Sequence, residues 1–359
     1  MKKRKMIQVA AAVIITIILL SFLQRLLMPK YMTEILEGAL ISEYYQEENK
    51  NHDVIFIGDC EVYENFSPVT LWEQFGITSF IRGSAQQLIW HSYYLLEDTL
   101  RYEKPKVVVF NVLSMKYDEP QKEAYNRMAL DAMPLSLSKL KAIRASMMQD
   151  EEFITYLFPI LRYHSRWSEI KGEDFEYLLK KEQISHNGYL MRVDSKPMTN
   201  LPQAKKLPNY QFGDVCYEYL DKMTTLCKDN DIELVLIKAP TLYPHWYEQW
   251  DDQIREYAKE NDLSYINFLD YTDEIGIDFS RDTYDAGLHL NLSGAEKMSR
   301  YFGEILMERF ALEDHRSNAA LNEQWSEKIA FYYQTMDNQY AELESLGYIK
   351  AFNTRRNED

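Results

Sequence analysis

The chain has 359 residues, of which 46% are hydrophobic and 27% charged, and its formal net charge is −16 at pH 7. That length suffices for one large α/β domain with insertions or for two modest domains, and that hydrophobic content excludes a largely disordered chain. The acidic balance excludes a nucleic-acid partner, because phosphate binding needs a cationic face.

Lys2, Lys3, Arg4 and Lys5 run against this balance, and the rest of the chain is more acidic still. Such a body is repelled by anionic lipid head groups, so insertion and not surface charge must hold it near a membrane. From Met6 to Leu23 only Gln8, Thr16 and Ser21 interrupt an apolar run, and Leu26, Leu27 and Met28 extend it past Gln24 and Arg25. A helix over 6–28 is long enough to cross a bilayer core. With the basic tail 1–5 ahead of it, the positive-inside rule keeps the N-terminus cytoplasmic and places everything after about residue 30 outside, in a single-pass cell-membrane protein. A cleaved signal peptide is the alternative. The length of the segment argues against it, as does Ser21-Phe22-Leu23, which makes no small-x-small cleavage site.

Residues 29–52 are polar and helical in character, a stalk packed on the domain. Five short β-branched runs follow: 53–58, 77–81, 107–110, 233–238 and 264–268. Helical spacing of apolar residues appears between and after them, over 88–101, 215–229, 246–261 and 294–310. This alternation predicts a parallel sheet with helices on both faces and a ligand site beyond the carboxyl ends of the strands. The stretch 118–210 is too long for a simple crossover. It divides into a helix-like part, 135–182, and a loop-like part, 183–212, containing Pro197, Pro202 and Pro208. It reads as a lid inserted over the active face of a domain spanning 53–312. In the extension 313–359, Trp325, Ile329, Tyr332, Met336, Tyr340 and Leu343 recur at helical spacing, a stripe suited to packing on the body or on a partner chain.

Of the three cysteines, Cys216 and Cys227 fall on one expected helix. Three turns separate them by roughly 16 Å along the axis, whereas a disulfide needs Cα atoms within about 7 Å. They read as unbridged core residues, and Cys60 stands alone.

Two segments carry the chemistry. Ile57-Gly58-Asp59-Cys60-Glu61 places a thiol at a strand-to-helix turn, where a helix N-terminus favours an anion. Tyr284-Asp285-Ala286-Gly287-Leu288-His289-Leu290-Asn291 places an imidazole before a helix, with a carboxylate four residues earlier. A nucleophile, a base and an orienting acid are the minimal arrangement for covalent acyl transfer. Asp59 is open to a capping or a catalytic role, and Asp282 competes with Asp285 as the acid.

On these residues the chain resembles the SGNH/GDSL hydrolase superfamily over about residues 50–312. It is most similar to the membrane-anchored bacterial branch that serves D-alanyl transfer in teichoic acid synthesis and polysaccharide O-acetylation. Gly58-Asp59-Cys60 matches the family's Gly-Asp-Ser with Cys for Ser. His289 to Ala295 matches its His-Leu-Asn-x-x-Gly-Ala, although Asp285 and His289 have one residue more between them than the family's Asp-x-x-His. The resemblance implies a three-layer, flavodoxin-like SGNH fold, Cys60 as nucleophile, His289 as base and Asp285 as its orienter. It also implies Gly83 and Asn111 as oxyanion donors, without the Gly-x-Asn-Asp context at Asn111. The implied activity is an esterase or acyltransferase on a cell-surface polysaccharide or teichoic-acid-like polymer, with a membrane-bound acyltransferase as a further partner. The alternative is an inactive, accessory relative in envelope polymer modification.

Within the lid, Arg162, His164 and Arg166 are candidates for binding an anionic substrate, since Arg162 and Arg166 share a helix face. Pairing with local Glu and Asp is the weightier reading in so acidic a chain. No His/Cys/Asp spacing suggests a metal and no Gly-rich phosphate loop occurs, so no cofactor is expected.

Overall fold

The computed structural model describes residues 2–28, 40–179, 183–201 and 203–353. Residues 29–39 of the expected stalk, 180–182 and Pro202 of the insertion, and 354–359 of the C-terminal extension lie outside the described residues.

Five strands form one parallel sheet: β1 (Val54–Gly58), β2 (Ser79–Gly83), β3 (Val107–Asn111), β4 (Glu233–Lys238) and β5 (Ser264–Asn267). Their spatial order is β2-β1-β3-β4-β5. The register places Phe56 opposite Ile81 on one side and Val109 on the other. Both faces of the sheet are covered, which is why the strands read as continuous apolar runs. Ile55, Ile57, Val108 and Phe110 face the helices Ile89–Thr99, Asp214–Asp229 and Glu248–Glu260. Val54, Phe56, Val107 and Val109 face Cys60–Asn65, Pro68–Phe75 and Leu292–Arg309.

The second strand begins and ends two residues later than its apolar pattern predicts. Arg82 lies inside it and is buried. Its guanidinium donates to Leu95 O at 2.8 Å, Thr99 Oγ1 at 2.6 Å and Tyr45 Oη at 2.6 Å, and it sits 4.1 Å from the Tyr44 ring centroid. Three hydrogen bonds and the Tyr44 ring offset much of the cost of burying this charge, although Nε has no partner among the described residues, and alternation cannot anticipate such a residue in a strand interior. Tyr44 and Tyr45 come from the helix Leu40–Gln46, whose Leu40, Ile41 and Tyr44 are buried. The described part of the stalk is therefore a piece of the domain core.

The insertion is not one lid. Its helix Leu137–Ser146 packs directly on Ile89–Thr99, with Glu123–Leu130 beside both and Phe153–Leu157 against Leu137–Ser146, on the flank of the sheet. Only the loop half approaches the carboxyl ends of the strands. There Ile81 donates its N–H to Asn187 O at 2.9 Å, which covers the exposed edge of β2. Leu190 N–H then reaches Tyr63 O at 2.8 Å, and Leu292 N–H reaches Arg192 O at 2.6 Å.

The C-terminal helix Ala319–Leu346 extends the second helix layer. Trp325 stacks on Trp72 with ring centroids 5.0 Å apart and planes 7° apart, and Tyr332 is fully buried. Of the apolar stripe read from the sequence, Trp325, Ile329, Tyr332, Met336 and Leu343 pack on the body and Tyr340 is exposed. Cys216 and Cys227 are buried, unbridged and on one helix. Among the described residues one helix, Lys3–Leu27, is long and apolar enough to cross a membrane.

Candidate active site

The chain leaves β1 at Gly58 and turns at once into the helix Cys60–Asn65. Asp59 caps this helix by accepting the Glu61 N–H at 3.2 Å. The helix lies close on the end of β2. A Cβ at Gly83 would stand 3.0 Å from Tyr63 Cδ1 and 3.1 Å from Val62 Cγ2, so glycine permits this approach. Cys60 is thereby set at the carboxyl end of the sheet, half-buried. Burial pushes its thiol up to about 11. Asp59 and Glu64 add to that and His289 opposes it. The resting thiol is protonated at neutral pH.

The second segment closes on the first. Asp285 Oδ2 is 2.7 Å from His289 Nδ1, and Asp285 Oδ1 accepts the His289 backbone N–H at 2.8 Å. One carboxylate holds both the ring and the backbone of the same histidine. The spacing of four is workable because Ala286 and Gly287 turn the chain with φ of 66° and 92°, a left-handed pair that suits glycine at its second position. Asp282 does not compete. It accepts from Lys297 Nζ at 2.6 Å and from the Asp278 N–H at 2.8 Å.

With Nδ1 engaged, Nε2 of His289 is buried and has no hydrogen-bond partner among the described protein atoms. Cys60 and His289 still shift each other's protonation, through charge and through a side-chain hydrogen bond of loose geometry, so thiol and imidazole are neighbours. Such contacts are often loose in unliganded sites and tighten around substrate. Burial disfavours the imidazolium, but the charge of Glu64, the neighbouring Cys60 and the hydrogen bond to Asp285 outweigh it, and His289 titrates well above 6.5.

Glu64 is a second acid that sequence reasoning missed. It is 3.5 Å from His289 Nδ1 and accepts a hydrogen bond from Tyr284 Oη. Tyr284 also stacks on His289, with centroids 5.9 Å apart and planes 16° apart. The available signal was its position four residues after Cys60, on the same helix face.

Beneath the turn lies a network that the sequence reading also missed. Glu61 and Lys238 are both fully buried and pair at 2.9 Å. Thr241 Oγ1 donates to Glu61 Oε1 at 2.7 Å, and Asn111 Nδ2 donates to Glu61 Oε2 at 2.9 Å and to Asp59 Oδ1 at 3.1 Å. Asn111 Oδ1 accepts the Ala239 N–H at 3.1 Å. Both donors of the Asn111 amide are thus committed to carboxylates, and neither is turned toward an oxyanion in this arrangement. Asp59 is pushed up to about 6, first by burial and then by the Glu61 charge. The signal for Lys238 was a cation at the carboxyl end of an otherwise apolar strand, Glu233–Lys238. Lys116, half-buried, also acts on Asp59 and Cys60 electrostatically.

Arg162, His164 and Arg166 belong to a different part of the molecule. Arg162 holds Glu123 with two bonds, 2.7 and 3.1 Å long. Arg166 pairs with Asp174 at 3.3 Å and donates to Leu27 O at 2.8 Å, and His164 Nδ1 lies 3.0 Å from Leu161 O. Their bonds go to carboxylates and carbonyls of the protein itself, as the weightier pairing reading expects, and none of the three is brought to Cys60 or His289. A scan against protein-family models and a search of curated proteins find no match to the chain.

Proposed function

We propose that this chain is a membrane-anchored, extracytoplasmic SGNH-type acyl-transfer protein, acting on ester groups of a cell-surface glycan or teichoic-acid-like polymer through Cys60. The observation that carries the reading is the Asp285–His289 pair, which binds Nδ1 at 2.7 Å and leaves Nε2 to the Cys60 thiol. The strand order β2-β1-β3-β4-β5, with the thiol after β1, supports the flavodoxin-like form of the fold. The apolar helix and the basic cluster before it support a cytoplasmic N-terminus and an outer body; a membrane-bound acyltransferase as partner is what the family resemblance implies.

In this reading Cys60 Sγ attacks the ester carbonyl carbon while His289 Nε2 takes the thiol proton. The carbon–oxygen bond to the alcohol breaks, and the same proton passes to the departing oxygen. A water or an acceptor hydroxyl then gives its proton to His289 and attacks the thioester carbonyl carbon; the carbon–sulfur bond breaks and His289 returns that proton to Sγ, which restores the thiol. The Cys60 and Gly83 backbone N–H groups are the oxyanion donors that the turn offers. His289 accepts a proton only when neutral. Because Glu64 and Asp285 favour its charged form, the rate rises with pH through the raised value of His289.

The thiol at about 11 favours a second reading, an accessory relative that keeps the fold without the chemistry. Cys60→Ala and Cys60→Ser separate the two in assays of ester cleavage and of envelope acylation. Ester cleavage that survives Cys60→Ala removes the first reading. Alkylation of Cys60 that is slowed by His289→Ala supports it.

A further inference from the structure

The outer end of the N-terminal helix is not free. Leu26 and Leu27 are buried, while the apolar residues before them, from Met6 to Leu20, are exposed. What covers that last turn is an arm of the insertion, the segments Ile160–Tyr163, His164–Ser168 and Gly172–Leu179, which pack on the helix. Arg166 completes the contact. Its Nη1 donates to the carbonyl of Leu27 at 2.8 Å, and its Nη2 pairs with Asp174 at 3.3 Å. A helix C-terminus presents unpaired carbonyls and a partial negative charge, and a guanidinium answers both.

This fixes the arm relative to a bilayer. The spanning helix has 25 residues, about 37 Å at the usual rise, against a hydrocarbon core of about 30 Å. The surplus turn must lie in the head-group zone. Gln24 and Arg25 mark it at the outer end, and that is the turn the arm grips.

The arm carries the wrong surface for water. Trp167, the residue after Arg166, is 73% exposed. Phe158 is 53% exposed, Leu161 50% and Phe175 47%, and Phe175 follows the Asp174 that pairs with Arg166. Three of these large apolar side chains, Leu161, Trp167 and Phe175, are thus on the short helices that hold the end of the apolar helix, and Phe158 lies two residues before the first of them. Tryptophan is the side chain most at home at the level of the lipid head groups.

We propose that this arm lies on the outer leaflet, with Trp167, Phe158, Leu161 and Phe175 inserted at the head-group level. The arm and the spanning helix form one two-point attachment that holds the body at a set height above the bilayer. The contact is apolar rather than electrostatic, because the body is acidic and is repelled by anionic lipid. The proposal rests on the reading of Lys3–Leu27 as a membrane span and not on the chemistry of Cys60.

The test uses the full chain in phosphatidylcholine vesicles whose acyl chains are brominated either near the head group or near the chain end. The other five tryptophans are at most 8% exposed, so the difference between wild type and Trp167→Phe isolates the emission of Trp167. Leu19→Trp in the Trp167→Phe background reports the span. The expected result is loss of Trp167 emission with head-group-proximal bromine, less with chain-end bromine, and the same loss at high salt. Quenching of the Leu19→Trp probe without quenching of Trp167 overturns the proposal, leaves the span intact and assigns the patch to a protein partner. No quenching of either probe overturns the span and the proposal together.

Discussion

The turn that carries Cys60 and the arm that carries Arg162 both rest on paired opposite charges, but the pairs differ in environment. Glu61 and Lys238 are shut off from water on both sides of the bond. The Arg162 side chain is 50% exposed and Glu123 29%. In the first region each charge has lost its hydration and depends on its partner, on Thr241 and on Asn111. In the second, water replaces a lost partner at little cost. The comparison teaches that geometry alone does not rank ion pairs; desolvation does.

The largest effect expected belongs to the site itself. Cys60→Ala should lower ester cleavage by about 10³-fold or more if the thiol is the nucleophile, read as initial rates beside Arg162→Ala, which should leave them unchanged. Equal losses in the two variants would break the division between site and arm.

Next comes the buried pair. Lys238→Met leaves Glu61 ionised without its counter-charge and should destabilise the chain by about 3–5 kcal/mol. Glu61→Leu combined with Lys238→Met should recover most of that, measured by urea unfolding of the full chain in detergent. A double variant no better than the single would mean that packing and not charge carries the loss.

Asp59 sharpens the point through pH. Its folded value is raised from 3.8 to about 6, first by burial and then by the Glu61 charge, so the neutral form is the one the fold prefers. Its contribution to stability is complete below 3.8 and is lost as pH rises through about 6. A shift of about two units corresponds to at most about 3 kcal/mol. Asp59→Asn should therefore match wild type near pH 3.5 and exceed it at pH 8. An equal difference at both pH values would remove the titration as its cause.

The smallest effect is that of Arg162→Ala on stability, below about 1 kcal/mol and smaller still at high salt, by the same urea measurement.

Legibility followed the range of the forces involved. Strand β4 was readable to the residue, because its buried apolar run, Leu234 to Ile237, is bounded by a charged residue on each side. Strand β2 was misplaced because Arg82 looks like an end and is a hydrogen-bonded interior residue. Cys60, Asp285 and His289 were readable as a set because the motifs around them are local. Glu64 and Tyr284 were not, because they meet at His289 only after residues 220 apart in sequence are brought together. The choice of Asp285 over Asp282 was likewise undecided until the loop 285–289 took its left-handed turn.

The sequence by itself determined an apolar span, an acidic body, a parallel α/β sheet and a thiol and an imidazole at their respective helix starts. Periodicity, composition and short motifs are properties of neighbouring residues, and they survive without coordinates. Only the tertiary structure decided what surrounds Cys60. The protonation of the thiol, the second carboxylate on His289, the commitment of Asn111 to Asp59 and Glu61, and the placing of Arg166 at the end of the apolar N-terminal helix all depend on burial and on partners distant in the chain. Cys60 thus lies beside an imidazole held by a carboxylate, in surroundings whose burial pushes its thiol up to about 11.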